Sequence, residues 1–193
     1  QPGGGWTTNS RSRAQGEKQV DLVDGAMHIT RAAVADHGVS VVHDLKFKDV
    51  TIRMRFKIRD QDELGINIAD MNEKSVHAGH ICVAKIRTQK VEIMDLKTGN
   101  MDLKIRRLRQ AGTVDEATNQ MLATKRKRFD VATEADRWHQ LEVKIAGDVM
   151  SIRIDGRDVG SFASPGINHG TKSRIRLAVA KQAWVDDVMV WAQ

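Results

Sequence analysis

Residues 138–191 read WHQLEVKIAGDVMSIRIDGRDVGSFASPGINHGTKSRIRLAVAKQAWVDDVMVW, and this stretch decides the fold. Leu141, Val143 and Ile145 take alternate positions with Glu142 and Lys144 between them. Met150, Ile152 and Ile154 repeat the pattern and stop at Asp155-Gly156. Side chains of a strand point alternately to its two faces, so such spacing gives one apolar and one polar face. Asp-Gly between two alternating runs predicts a tight hairpin, because the turn needs positive φ and glycine supplies it. A third run (Ile175, Leu177, Val179) and a fourth (Val185 to Trp191) follow. The whole stretch is therefore predicted to be antiparallel strands.

The same reading extends toward the N-terminus. Strands are expected at Gln19 to Val23, Ala26 to Arg31 and Val39 to His43, with Asp24-Gly25 as a second hairpin turn. In Asp49 to Arg59, Ile52, Met54, Phe56 and Ile58 mark one face and Arg53, Arg55, Lys57 and Arg59 the other. Four cations cannot face a core, so that row must meet solvent or a ligand. Leu64 to Ala69, Gly79 to Ile86 and Lys90 to Leu96 continue the β pattern. From Asn100 to about Thr124 the spacing turns helical, with Thr113 as predicted N-cap and Glu116 as its capping-box partner. About twelve strands with one helical hairpin describe an all-β, two-sheet antiparallel sandwich of the jelly-roll type. Residues 1–16, rich in Gly, Ser and Thr, are expected to be a flexible lead. Residues 17–193 are expected to form a single domain, with the insertion at about 100–124.

The chain has 193 residues, a net charge of +6 and a mean hydropathy of −0.43. That suits one globular domain with a preference for anionic partners. No apolar run approaches the ~18 residues of a membrane span. A single cysteine, Cys82, lies in an alternating strand and reads as a buried structural thiol. Four Trp, four Phe and no Tyr are few for a protein that stacks sugars on exposed rings. Gln1 opens the chain without Met, and Gln1-Pro2-Gly3-Gly4-Gly5 is no signal peptide. Either a removed leader or an artificial start accounts for that.

Trp138-His139, the run Val149 to Gly156 and the run Val185 to Trp191 resemble the concanavalin A-like (laminin-G-like) sandwich. More specifically, Leu64 to Asp70 followed by Val91-Glu92-Ile93-Met94-Asp95 is similar to two strands of the 3-keto-disaccharide hydrolase domain family. The resemblance spans roughly residues 17 to 192. It implies a carbohydrate ligand, a glycosyl hydrolase-like activity, a polar groove on the concave sheet, and an extracellular or periplasmic location. It picks out Glu92 and Asp95 as the carboxylate pair for general acid/base work. His80 is a further acid/base candidate because histidine titrates near neutrality. Arg53, Arg55 and Lys57 are the expected substrate-binding cations. Positions 92 and 95 are three apart, so on a regular strand they face opposite ways and share a site only across a bulge.

Other constellations carry less. Family-16 glycoside hydrolases share the sandwich and use Glu-x-Asp-x-x-Glu, a string absent here, so hydrolysis by that motif is not expected. Asp60 to Glu63 reads as a solvated turn. His77 and His80 lack the third ligand a metal would need, and neither metal nor cofactor is expected. Asp186 and Asp187 are expected on opposite faces of their strand. Nine basic against three acidic residues between Lys97 and Arg128 suit an acidic polysaccharide or a partner domain. Nucleic acid is disfavoured, since no aromatic residue interleaves with the charges and no nucleic-acid fold surrounds them. A sugar-processing enzyme, a non-catalytic carbohydrate-binding or adhesion sandwich, and an interaction module using the basic helical hairpin all remain open, and oligomeric state is not legible.

Overall fold

The computed structural model describes residues 2–193. Fourteen strands follow in chain order. The first seven are β1 (Thr7–Thr8), β2 (Val20–Val23), β3 (Ala26–Thr30), β4 (Val39–Phe47), β5 (Val50–Lys57), β6 (Leu64–Ala69) and β7 (His80–Ile86). The remainder are β8 (Lys90–Asp95), β9 (Arg126–Asp130), β10 (His139–Ala146), β11 (Val149–Ile154), β12 (Arg157–Ala163), β13 (Lys172–Val179) and β14 (Gln182–Ala192). They form two antiparallel seven-stranded sheets, ordered β1-β4-β13-β6-β7-β8-β9 and β12-β11-β10-β5-β14-β3-β2. This is the jelly-roll sandwich that the alternation predicts.

Alternation builds the core. Ile52, Met54 and Phe56 of β5, Ile66 and Ile68 of β6, Val143 of β10 and Leu177 of β13 belong to one apolar cluster, each at most 3% exposed. At roughly 25 cal/mol per Å² of apolar surface, this burial is the main force holding the sheets together. Asp24-Gly25 and Asp155-Gly156 turn with φ of 51° and 84°, and of 50° and 76°. The second hairpin joins β11 to β12 as its Asp-Gly predicts. Along one side, the Phe129 ring of β9 fills the space where a side chain at Gly160 of β12 would sit, so the two edge strands close on each other.

The helical insertion is present as α1 (Leu103–Ala111) and α2 (Glu116–Ala123). Its second cap lies two residues beyond the expected Thr113. Asp115 accepts from Thr118 N at 2.8 Å, a carboxylate being the better partner for a helix start. Asp102 caps α1 in the same way. The basic run Lys125 to Arg128 is not the end of a helix, because residues 126–128 open edge strand β9. Within the lead expected to be flexible, Thr7–Thr8 pair with β4, and Asn9 bonds Gly38 O and Ser40 N.

Candidate functional site

The outer face of the first sheet is recessed. Asn67 (β6), Val83 (β7) and Glu92 (β8) each sit between core residues and so point away from the core. Yet they are only 6%, 4% and 7% exposed. Strand register lines up Met94, Val83, Asn67, Arg176 and Val42 across this face, with Glu92, Lys85, Gly65, Ala178 and Ser40 as the next row. The small residues Gly65, Ala178 and Ser40 leave the second row open above β6, β13 and β4.

His80 joins the face through a bulge. Ile68 pairs with Cys82, whereas the next residue, Ala69, pairs with His80. The extra residue, Ile81, turns into the core at 0% exposure and His80 turns outward. Ala78 and Gly79 just before it take φ of 49° and 70°. The Asn67 Oδ1 and His80 Nδ1 atoms lie 3.0 Å apart, and Arg176 Nη1 lies 3.0 Å from His80 Nε2. A guanidinium can only donate, so Nε2 accepts and Nδ1 carries the proton that Asn67 receives. Burial, and then the charge of Arg176, push His80 down to about 3, so its ring is neutral at ordinary pH. Burial also lowers Arg176 below the usual arginine value, with Arg174 adding to the effect. The His77 ring stacks 6.4 Å from His80.

Beside this unit lies a pocket of about 390 Å³, lined among others by Thr8, His37, Ser40, His77, His80 and Arg176. The insertion is tied to the segment that leads into β7. Met101 O accepts from His77 N at 2.8 Å, and Leu103 N donates to Ser75 O at 3.0 Å.

The two carboxylates of β8 part company. Glu92 lies on the outer face, where Arg128 Nε donates to its Oε1 at 2.8 Å and Arg126 stands 3.8 Å from the same oxygen. Both cations hold Oε1, which leaves Oε2 as the free acceptor. Asp95 points the other way and is 1% exposed. It accepts from Thr98 N, Thr98 Oγ1, Ser164 Oγ and Gly166 N at 2.6–3.0 Å. No bulge intervenes between the two positions, so they do not share a site. Asp95 ties the turn after β8 to the loop after β12.

Arg53, Arg55 and Lys57 lie on β5, facing outward from the second sheet, on the opposite side of the molecule from His80 and Glu92. The cleft expected to gather all of them therefore does not form. Arg53 pairs with Glu142 at 2.5 Å and lies over Trp191. Arg55 meets Asp186 and Asp187 at 3.4 and 3.5 Å and covers Trp138. Lys57 lies between Trp138 and Trp184, 5.3 and 4.5 Å from the ring centres. A bulge between Asp186 and Met189, with φ of 49° at Asp187, brings both aspartates to Arg55, against the expected split.

Other readings are also corrected. Asp62, expected in solvent, is 3% exposed and accepts from Arg59 Nε at 2.9 Å. His139, at the start of β10, is buried between Asp155 and the Glu134 carbonyl. Cys82, by contrast, is buried as its alternating strand predicts, and burial pushes its thiol up to about 12. Among the described residues no group of three or more His, Cys, Asp or Glu is gathered as a metal would require. Asn67 and Arg176 escaped sequence reasoning. Arg174 and Arg176 alternate with Ile175 and Leu177 much as the β5 cations alternate with their apolar neighbours. The missing information was which of these cations would find a carboxylate.

The chain is thus a two-sheet antiparallel sandwich with polar side chains held low on the outer face of its first sheet. The sequence matches the family model described as 3-keto-alpha-glucoside-1,2-lyase-like domain over residues 3–190, and the chain belongs to this family. A search of curated proteins finds no match. Among solved structures, the fold is similar to a carbohydrate-binding module from Bacillus subtilis. That similarity has TM-score 0.59 and 13% identity, and covers 97% of this chain and 96% of that one. It is also similar to a non-specific endo-β-1,3(4)-glucanase, with TM-score 0.61, 13% identity, and coverage of 96% and 83%. A third likeness is to the endo-β-1,3-glucanase of Pyrococcus furiosus, with TM-score 0.60, 11% identity, and coverage of 97% and 88%. At these identities the likeness establishes the fold, the concanavalin A-like sandwich.

Proposed function

We propose that the recessed face of the first sheet is a saccharide site. On this reading the protein is a carbohydrate-active, glycosyl hydrolase-like protein acting on glycosides or 3-keto-disaccharides outside the cytoplasm. The observation that carries the reading is the unit Asn67–His80–Arg176, joined by hydrogen bonds through His80 and held off the core beside an open pocket. Such preset donors and acceptors fix the hydroxyls of a sugar without reordering when it arrives.

Glu92 is the proton acceptor in this reading. In a 3-keto-glycoside the ketone acidifies the hydrogen on C2. Removing that proton lets the C2 electron pair form a C1=C2 bond while the C1–O bond breaks. The leaving oxygen keeps the bonding pair and takes up a proton. Glu92 Oε2 is free to receive the C2 proton, and Arg126 and Arg128 orient the carboxylate through its other oxygen. Arg176 lies three strand spacings away, about 14 Å at ~4.8 Å per strand, so it serves the far end of a disaccharide.

A second reading, a non-catalytic binding sandwich, is favoured by one observation. Both ring nitrogens of His80 are bonded within the protein and Asp95 is sealed in the core, so neither expected acid/base partner stands free beside Glu92. Incubation with a panel of glycosides and 3-keto-glycosides separates the two readings. Turnover that Glu92→Gln abolishes supports the enzyme. Calorimetric binding without turnover supports the module. Neither binding nor turnover overturns both.

A further inference from the structure

The pocket beside His80 is cationic and holds no counter-charge of its own. Its walls carry three arginines (Arg13, Arg174, Arg176), three histidines (His37, His77, His80) and no carboxylate. Two of the arginines have partners nearby. Arg13 meets Asp36 at 3.4 Å, and Arg174 forms a two-point bridge with Asp44 at 2.6 and 2.9 Å. Arg176, more enclosed than either, has no ion pair among the described residues; its Nη1 donates to Nε2 of the uncharged His80 ring. A guanidinium presents five N–H donors in a rigid fork, so Nη2 and Nε retain donors for an incoming group.

We infer that the pocket around Arg176 receives an anionic substituent of the saccharide, a carboxylate or a sulfate ester. This inference rests on the saccharide reading above. An uncompensated, half-buried cation is costly unless a counter-charge arrives. Two arginines of the second sheet meet that cost with carboxylates, Glu142 on Arg53 and Asp186 on Arg55. A neutral sugar would fill the hydrogen bonds of the fork and leave its charge bare. A planar carboxylate, or the oxygens of a sulfate, fits the fork at two points and supplies the charge as well. The asparagine and histidine behind Arg176 lock its orientation, so little side-chain freedom is lost on binding.

The test uses matched oligosaccharides measured by calorimetry on the full chain. One pair is an oligouronide and its methyl ester, the other a sulfated oligosaccharide and its desulfated form. The charged member of at least one pair is expected to bind roughly 10- to 100-fold tighter than its neutral partner. The pair that shows the gap identifies the anion. Arg176→Gln should close the gap, and Arg176→Lys should keep part of it. Ser40→Asp places a carboxylate in the wall without touching the buried unit, and it should also close the gap. Thermal melting of each variant separates loss of binding from loss of fold. Equal affinity for charged and neutral members, or a gap that survives both Arg176→Gln and Ser40→Asp, overturns the inference and leaves the saccharide reading intact. Absence of binding by all four sugars overturns the saccharide reading, and the inference with it.

Discussion

The two sheets present cations on their outer faces, and they treat them in opposite ways. On the second sheet Arg53, Arg55 and Lys57 are occupied, each lying over indole rings and the two arginines also paired with carboxylates. On the first sheet Arg176 is half-buried and touches only neutral groups. A basic row in the sequence therefore says little about binding until its partners are known. The second face has spent its charges on its own structure. The first has left one open, and it is the recessed face. Three of the four tryptophans lie on the second face as well, as supports for cations rather than as free stacking platforms.

The contrast would break most visibly at β8, whose two carboxylates serve different faces. Asp95→Asn replaces an acceptor that holds four donors, and it is expected to cost about 3 kcal/mol. For a chain of this length that lowers Tm by roughly 6–12 °C. Melting within about 2 °C of the native protein would show that Asp95 is not the pin described above. Glu92→Gln should do the reverse, melting within a few degrees of the native protein while losing at least ~100-fold in turnover on a 3-keto-glycoside. If Glu92→Gln unfolds the protein and Asp95→Asn abolishes turnover in a stable fold, the two roles must be exchanged.

Much of the fold was legible because alternation is a local signal. β6 falls on the residues expected, and both Asp-Gly turns stand where they were read. The site was less legible because it depends on what alternation omits. A bulge at Ile81 decides that His80 faces outward, and a second bulge at Asp187 gathers two aspartates on Arg55. No residue pattern marks which cation meets a carboxylate across its sheet, so Arg53 and Arg176 look alike in sequence. Glu92 and Asp95 were expected to share a site only across a bulge. The strand is regular there, and they do not.

The buried histidine of the first face also makes stability depend on pH. His80 titrates at about 3 when folded, against an ordinary value near 6.5. Between those values the unfolded chain binds a proton that the folded chain refuses, so stability falls as pH drops from 6.5 toward 3. One such group contributes at most about 1.4 kcal/mol per pH unit. Glu73, lowered to about 2, acts in the same direction, but only as pH falls from about 4.5 to 2. His77 is also lowered and shares the upper window. Denaturant unfolding at pH 6.5, 5.5 and 5.0 should therefore show a slope that His80→Gln reduces more than His77→Gln. Equal slopes in native and His80→Gln proteins would mean the ring is protonated in the fold, and that the Asn67–His80–Arg176 unit is not the neutral clamp described.

The smallest expected effect tests the other half of the comparison. Lys57 lies over Trp138 and Trp184, and Trp184 in turn stacks on His28 with ring centres 4.0 Å apart. Lys57→Met keeps an unbranched apolar stem against the indoles and removes only the charge. Cation–π contacts at exposed sites are worth about 0.5–1 kcal/mol, so Tm should fall by about 1–4 °C. Saccharide affinity should stay within twofold of native, because every partner of Lys57 belongs to the protein and none faces the recess. A tenfold loss of affinity with an unchanged melt would invert the comparison, since it would make the tryptophan face the one that meets the sugar and leave Arg176 as the structural cation.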